Sequence, residues 1–206
     1  MAKTRTNAKT DAADLAAMIT RAQADRNAGK DGLPPVERWN PPFCGDIDME
    51  IRPDGTWFYM GTPIGRPALV RLFSTVLRCD GDNRIYLVTP VEKIGIRVLD
   101  APFVAVEMTV SEEEGGQVLT FRTNVGDIVR AGPDNPLRFA THGETEQLKP
   151  YVLVRGRLEA LVNRAVTYDL LALGEAVEID GEEMFAISSG GAVFPVMAMA
   201  ELEAKV

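Results

Sequence analysis

Histidine occurs once in these 206 residues and cysteine twice, a scarcity that removes most nucleophilic and metal-based chemistry at the outset. Any Ser-His-Asp or Cys-His device would have to be built around His142, and no Gly-x-Ser-x-Gly elbow accompanies it. A zinc site wants three or four His, Cys or carboxylate ligands at close spacing, which Cys44, Cys79 and His142 do not offer, so no metal is expected. An excess of basic charge is missing as well. The formal net charge is -8, which argues against a nucleic-acid partner, since such proteins carry clustered Lys and Arg. Lys3, Arg5 and Lys9 are interspersed with Thr, Asn and Ala and read as a solvated end. Long apolar runs are absent: none approaches the roughly 20 residues that span a bilayer, and the first residues lack the apolar core of a signal peptide. An acidic chain is also a poor partner for anionic membranes. A cytoplasmic location with both cysteines reduced is therefore expected.

What is present is an ordinary globular composition, 46% hydrophobic and 25% charged, enough for one large or two small domains. Thr10 or Asp11 is placed to cap an N-terminal helix in which Leu15, Met18, Ile19 and Ala22 recur at helical spacing. Pro34-Pro35 and Pro41-Pro42, with Trp39 between, make a stiff extended lead-in. Ile47, Met49 and Ile51 alternate with Asp48 and Glu50 as in a half-buried strand, and Pro53-Asp54-Gly55 turns the chain into a second one. Pro67 then suits the first turn of a long helix striped by Leu69, Val70, Leu72, Phe73, Val76 and Leu77, and strands follow it. The acidic run Glu112-Glu113-Glu114-Gly115-Gly116 lacks the alternating oxygen ligands of a calcium loop and reads as a hairpin turn. Further on, Leu158, Leu161, Val162, Ala165 and Val166 predict a second long helix ending near Gly174. Two strands follow, and Pro195 is placed to open a short terminal helix.

The chain also echoes itself. Gly45-Asp46-Ile47, Pro53-Asp54 and Gly65-Arg66 recur in order as Gly126-Asp127-Ile128, Pro133-Asp134 and Gly156-Arg157, at offsets of 80 to 91 residues. The recurrence predicts one ancestral unit used twice, with residues 45–89 and 126–188 superposing as strand-strand-helix-strand. The expected fold class is α+β: two tandem related units, each mainly antiparallel strands with one long helix, plus an N-terminal helix. The domain plan is a tail and helix over 1–32, a first unit over 33–102 and a second over 103–206. A cleft between two such units is a natural place for a ligand.

Candidate site residues are few. Gly61-Thr62-Pro63-Ile64-Gly65-Arg66 lacks the Gly-Lys-Ser/Thr ending of a phosphate loop, but Arg66 stands at the positive end of a helix, where a guanidinium can grip phosphate or carboxylate. Trp57 and Tyr59 are two apart and share a face of the preceding strand, which offers stacking area. Arg157 repeats Arg66 in the second copy. These four residues form the predicted ligand-binding set. The bland alternative makes both rings core and Arg66 half of a surface ion pair. Thr89 to Lys93 and Ser188-Ser189-Gly190-Gly191 read as structural, the latter as a hairpin turn.

Leu33-Pro34-Pro35-Val36-Glu37-Arg38-Trp39-Asn40-Pro41, Cys44 to Met49, Asp54 to Tyr59, Gly65-Arg66, Leu72-Phe73, Tyr86 to Lys93 and Ala101-Pro102-Phe103 together resemble an uncharacterised bacterial family of domains of unknown function. The resemblance is clear over residues 33–140 and diffuse beyond. It implies a duplicated α+β core, a C-terminal domain loosely like pleckstrin-homology folds, and an interdomain cleft holding a nucleotide-like ligand in signalling. It supplies no catalytic residues. The reading that follows is a non-enzymatic, small-molecule-binding sensor or regulator, with an interaction scaffold or an enzyme of unidentified class as alternatives. Cofactor and oligomeric state are left open.

Overall fold

The computed structural model describes residues 16, 17, 19, 20, 32–142 and 147–203. The basic tail and most of the expected N-terminal helix lie outside the described residues. Ala16, Ala17, Ile19 and Thr20 are helical, and Ile19 is fully buried. By internal contact the chain divides into two units, Met1–Glu50 with Trp57–Arg97 and Ile51–Thr56 with Val98–Val206. No helix among the described residues is long and apolar enough to cross a membrane.

After a 3-10 turn at Val36–Arg38, the first sheet is made by β1 (Phe43–Ile51), β2 (Trp57–Tyr59), β3 (Thr62–Pro63), β4 (Leu77–Cys79), β5 (Ile85–Val88) and β6 (Lys93–Val98), with α1 (Pro67–Ser74) between β3 and β4. Its order is β3-β2-β1-β6-β5-β4. β1 and β6 run parallel at its centre: Lys93 N–H donates to the Pro42 carbonyl at one end, and Glu50 meets Arg97 towards the other. Phe73 of α1 is fully buried and stacks on Trp57 at 6.3 Å between centroids. Burial of such a side chain contributes roughly 1.5–3 kcal/mol.

The second sheet is made by β7 (Phe103–Glu113), β8 (Gly116–Thr123), β9 (Ile128–Arg130), β10 (Leu137–His142), β11 (Gln147–Arg155) and β12 (Leu158–Val162), in the order β10-β11-β12-β7-β8-β9. Read from the other edge and renumbered from its own first strand, this is the order of the first sheet. It also pairs its first and sixth strands in parallel, Leu161 lying beside Val104. The acidic run makes the β7–β8 turn, as the composition suggested.

The tandem repetition therefore holds, but in a different frame from the sequence echo. The equivalent first strands open at Phe43 and Phe103, 60 residues apart. The echo instead matches Gly45-Asp46-Ile47 in β1 with Gly126-Asp127-Ile128 at the start of β9, an edge strand. Gly65-Arg66 leads into a helix, whereas Gly156-Arg157 is the tight β11–β12 turn, with Gly156 at φ 54°. The helices do not correspond either: α1 lies between third and fourth strands, while α2 (Arg164–Leu171) follows the sixth.

Neither helix is long; each has 8 residues. α1 stops because the Ser74 and Thr75 hydroxyls donate back to the Arg71 and Leu72 carbonyls, freeing Leu77 to pair with Leu87 in β4. The apolar stripe expected on the second helix is split. Leu158, Ala160 and Val162 are buried at alternate positions of β12, and Asn163 then caps α2 by accepting from Val166 N–H at 2.9 Å.

A third, three-stranded meander follows, β13 (Glu175–Ile179), β14 (Glu182–Ser189) and β15 (Ala192–Ala198), and then α3 (Met199–Glu203). Pro195 does not open that helix; it sits on edge strand β15, where the register with β14 shifts and a missing N–H is tolerated. Ser189 joins this meander to the second sheet. Its buried hydroxyl accepts from Leu119 N–H at 2.9 Å and donates to the Ala131 carbonyl at 2.8 Å.

Candidate functional site

Where β12 hands over to α2, the second unit opens into a furrow of about 770 Å³. Its floor is apolar: Val104 and Val106 from β7, Pro150 from β11, Leu161 and Val162 from β12, and Leu171 from α2. Parallel pairing of β7 with β12 sets these side chains side by side, and the Asn163 cap fixes the angle at which α2 leaves the sheet. Asn163 Nδ2 also reaches the Val106 carbonyl at 3.5 Å, the long end of a hydrogen bond.

The rim is polar. Arg164 and Tyr168, four residues apart on α2 and both exposed, line it as a hydrogen-bonded pair: the guanidinium lies 5.7 Å from the ring centroid, and its Nε and Nη2 donate to the phenol oxygen at 3.2 and 3.1 Å. Thr167 turns its hydroxyl to the Asn163 carbonyl at 2.9 Å. Asp54, from the turn that belongs to this unit, accepts from Thr56 N–H at 2.9 Å, and that hydrogen bond holds its carboxyl below the usual range, so it is ionised near neutrality. Lys149 lines the furrow too, its ammonium 2.6 Å from Asp100.

Behind Lys149 lies a polar network, buried at Tyr151 and at the side chain of Asp100 and exposed at Arg138. Tyr151 donates to Asp100 at 2.7 Å, and Arg138, held by Glu159 through two hydrogen bonds of 2.9 and 2.6 Å, lies 4.2 Å over the Tyr151 ring. Burial, and then the Asp100 carboxylate, push the phenol pKa well above its ordinary value. The network stiffens β10, β11 and β12 beneath the furrow. Among the described lining residues no hydroxyl is paired with a base, and the described residues hold no group of three metal-ligating side chains.

The sequence-predicted residues lie elsewhere. Arg66 is the exposed N-cap residue of α1 in the first unit, where its carbonyl accepts from Leu69 and Val70. Trp57 is 1% exposed and its ring is taken up by packing on Phe73, because α1 covers β2; Tyr59 is half-buried. The two rings therefore do not form a joint open platform. Arg157 is exposed in the β11–β12 turn of the second unit. Cys44 and Cys79 form no disulfide. The side chain of His142 lies outside the described residues.

Sequence reasoning missed the furrow because the stripe from Leu158 to Val166 reads as one helix. Two signals mark the true boundary: alternation in Leu158-Glu159-Ala160-Leu161-Val162, and Asn163, a strong N-cap residue.

Comparison with known families comes down on the same two-part division. Residues 34–101 match the domain of unknown function (DUF1285), N-terminal domain, and residues 102–196 match the protein of unknown function (DUF1285), C-terminal domain. The crystal structure of a DUF1285 family protein from Silicibacter pomeroyi DSS-3 is similar at 52% identity and a TM-score of 0.78, over 90% of this chain and 97% of that one. A DUF1285 family protein from Shewanella baltica OS155 aligns at 24% identity and a TM-score of 0.48, over 60% of this chain and 90% of that one. No curated protein matches the chain.

Proposed function

The chain belongs to the DUF1285 family, and from that premise we propose that it is a non-enzymatic small-molecule-binding protein with a sensor or regulatory role, its ligand seated in the furrow of the second unit. One observation carries the reading: an apolar floor and a polar rim line a half-open furrow of about 770 Å³, within the roughly 300–1,000 Å³ of ordinary ligand sites. The chemistry of the rim favours binding over turnover. Thr167 spends its hydroxyl on a backbone carbonyl, and Asp100 neutralises Lys149. A cytoplasmic location suits such a role. Nucleotide-like compounds belong among the candidate ligands, and Arg66 with Tyr59 remains a separate candidate site in the first unit.

A thermal-shift screen of the full chain against nucleotides and small metabolites tests the proposal. A ligand at 100 times its dissociation constant should add roughly 2.7 kcal/mol. Val106→Trp, which fills the floor of the furrow, should abolish the shift, while Arg66→Ala should leave it intact. A shift lost in Arg66→Ala and kept in Val106→Trp would move the site to the first unit.

A further inference from the structure

We infer that the furrow is built for an amphipathic monoanion, a flat or branched apolar body carrying one carboxylate- or sulfonate-like charge, with Arg164 as the anion-gripping residue. The inference rests on the proposed use of the furrow and adds the chemical class of its occupant. Its support is the charge arrangement along the rim. Among the described residues two cations line the furrow, and they are not equivalent. Lys149 is half-buried and already neutralised by Asp100 at 2.6 Å. Arg164 has no carboxylate partner among the described residues; its hydrogen bonds go to a neutral phenol.

The Tyr168 contact does more than occupy the guanidinium. Two donors, Nε and Nη2, share one phenol oxygen, so the guanidinium is tethered to Tyr168 with Nη1 still open among the described residues. A guanidinium anchored beside an apolar trough suits a ligand that buries a hydrocarbon body and presents an oxyanion at its end. The charge of the ligand is limited by Asp54. This ionised carboxylate also lines the furrow and disfavours a second negative charge. A carboxylate or sulfonate therefore fits better than a phosphate monoester.

The test uses two fluorescent probes that share a scaffold, 8-anilinonaphthalene-1-sulfonate and its neutral counterpart N-phenyl-1-naphthylamine, titrated into the full chain and into Arg164→Gln and Val106→Trp. The sulfonate should bind about tenfold tighter than the neutral probe, the worth of a charge-assisted hydrogen bond. Arg164→Gln should erase that preference without weakening the neutral probe, and Val106→Trp should lose both. Arg164 is exposed, so its substitution leaves the core intact, which circular dichroism checks. Equal affinity for the two probes, or an unchanged preference in Arg164→Gln, overturns the anion assignment while leaving the furrow as a site for neutral molecules. Binding of neither probe, or undiminished binding by Val106→Trp, overturns both the assignment and the reading beneath it.

Discussion

Arg78 is buried on β4, and its guanidinium divides between two jobs. Nη1 donates to the Val36 and Trp39 carbonyls at 2.8 and 2.7 Å, tying the proline-rich lead-in to the sheet, while Nε meets Asp80 at 2.6 Å. Asp80 also receives Lys93 at 2.8 Å. Removing the arginine strands two carbonyls and leaves Lys93 as the remaining cation on Asp80, so Arg78→Ala should lower the unfolding free energy by about 3 kcal/mol in urea melts at pH 7. The hydrogen bond from Arg78, and then Lys93, hold the Asp80 carboxyl below its ordinary value. A depressed folded pKa stabilises the protein above the unfolded carboxylate range, about pH 4, and that stabilisation is lost as pH falls through the lower folded value. Asp80→Asn should therefore be less stable than the parent near neutrality and should lose less on acidification below about pH 4. Parallel acid limbs for parent and variant would contradict this role.

Helix ends decide the shape of the candidate site. Asn163 stops β12, caps α2 and so positions Arg164, Thr167 and Tyr168 over the apolar floor. Asn163→Ala should cost about 1 kcal/mol, seen as a lower denaturation midpoint, and should weaken whatever ligand the furrow takes. Much at this scale was legible from residues alone: the alternation of Met49 and Ile51, the turn at Pro53-Asp54-Gly55 and the acidic hairpin all rest on periods and turn chemistry that act locally. The long helices were not, for a physical reason. Leu77 and the stretch Leu158–Val162 are apolar at spacings a helix could use, and it is pairing with distant strands, β5 for one and β7 for the other, that makes them strands. The burial of Trp57 was hidden for the same kind of reason, since only the packing of α1 reveals that its ring is enclosed.

The molecule as a whole repeats one six-stranded order in two tandem units and adds a three-stranded meander to the second. Repetition was visible in the sequence, but its frame was not, because the matched glycines and acids mark turns, and turn residues recur wherever a chain reverses. What distinguishes the second unit is the helix after its sixth strand, in a position the first unit leaves without one, and it is this helix that walls the furrow. The central claim is that ligand recognition resides there. Its most direct test is amide chemical-shift mapping of the full chain by NMR with the compound that gives the largest thermal shift. The account predicts saturable shifts concentrated at Val104, Val106 and Leu161 to Tyr168, with Tyr59 and Arg66 unmoved. Shifts centred on Tyr59 and Arg66, with the furrow silent, would contradict it.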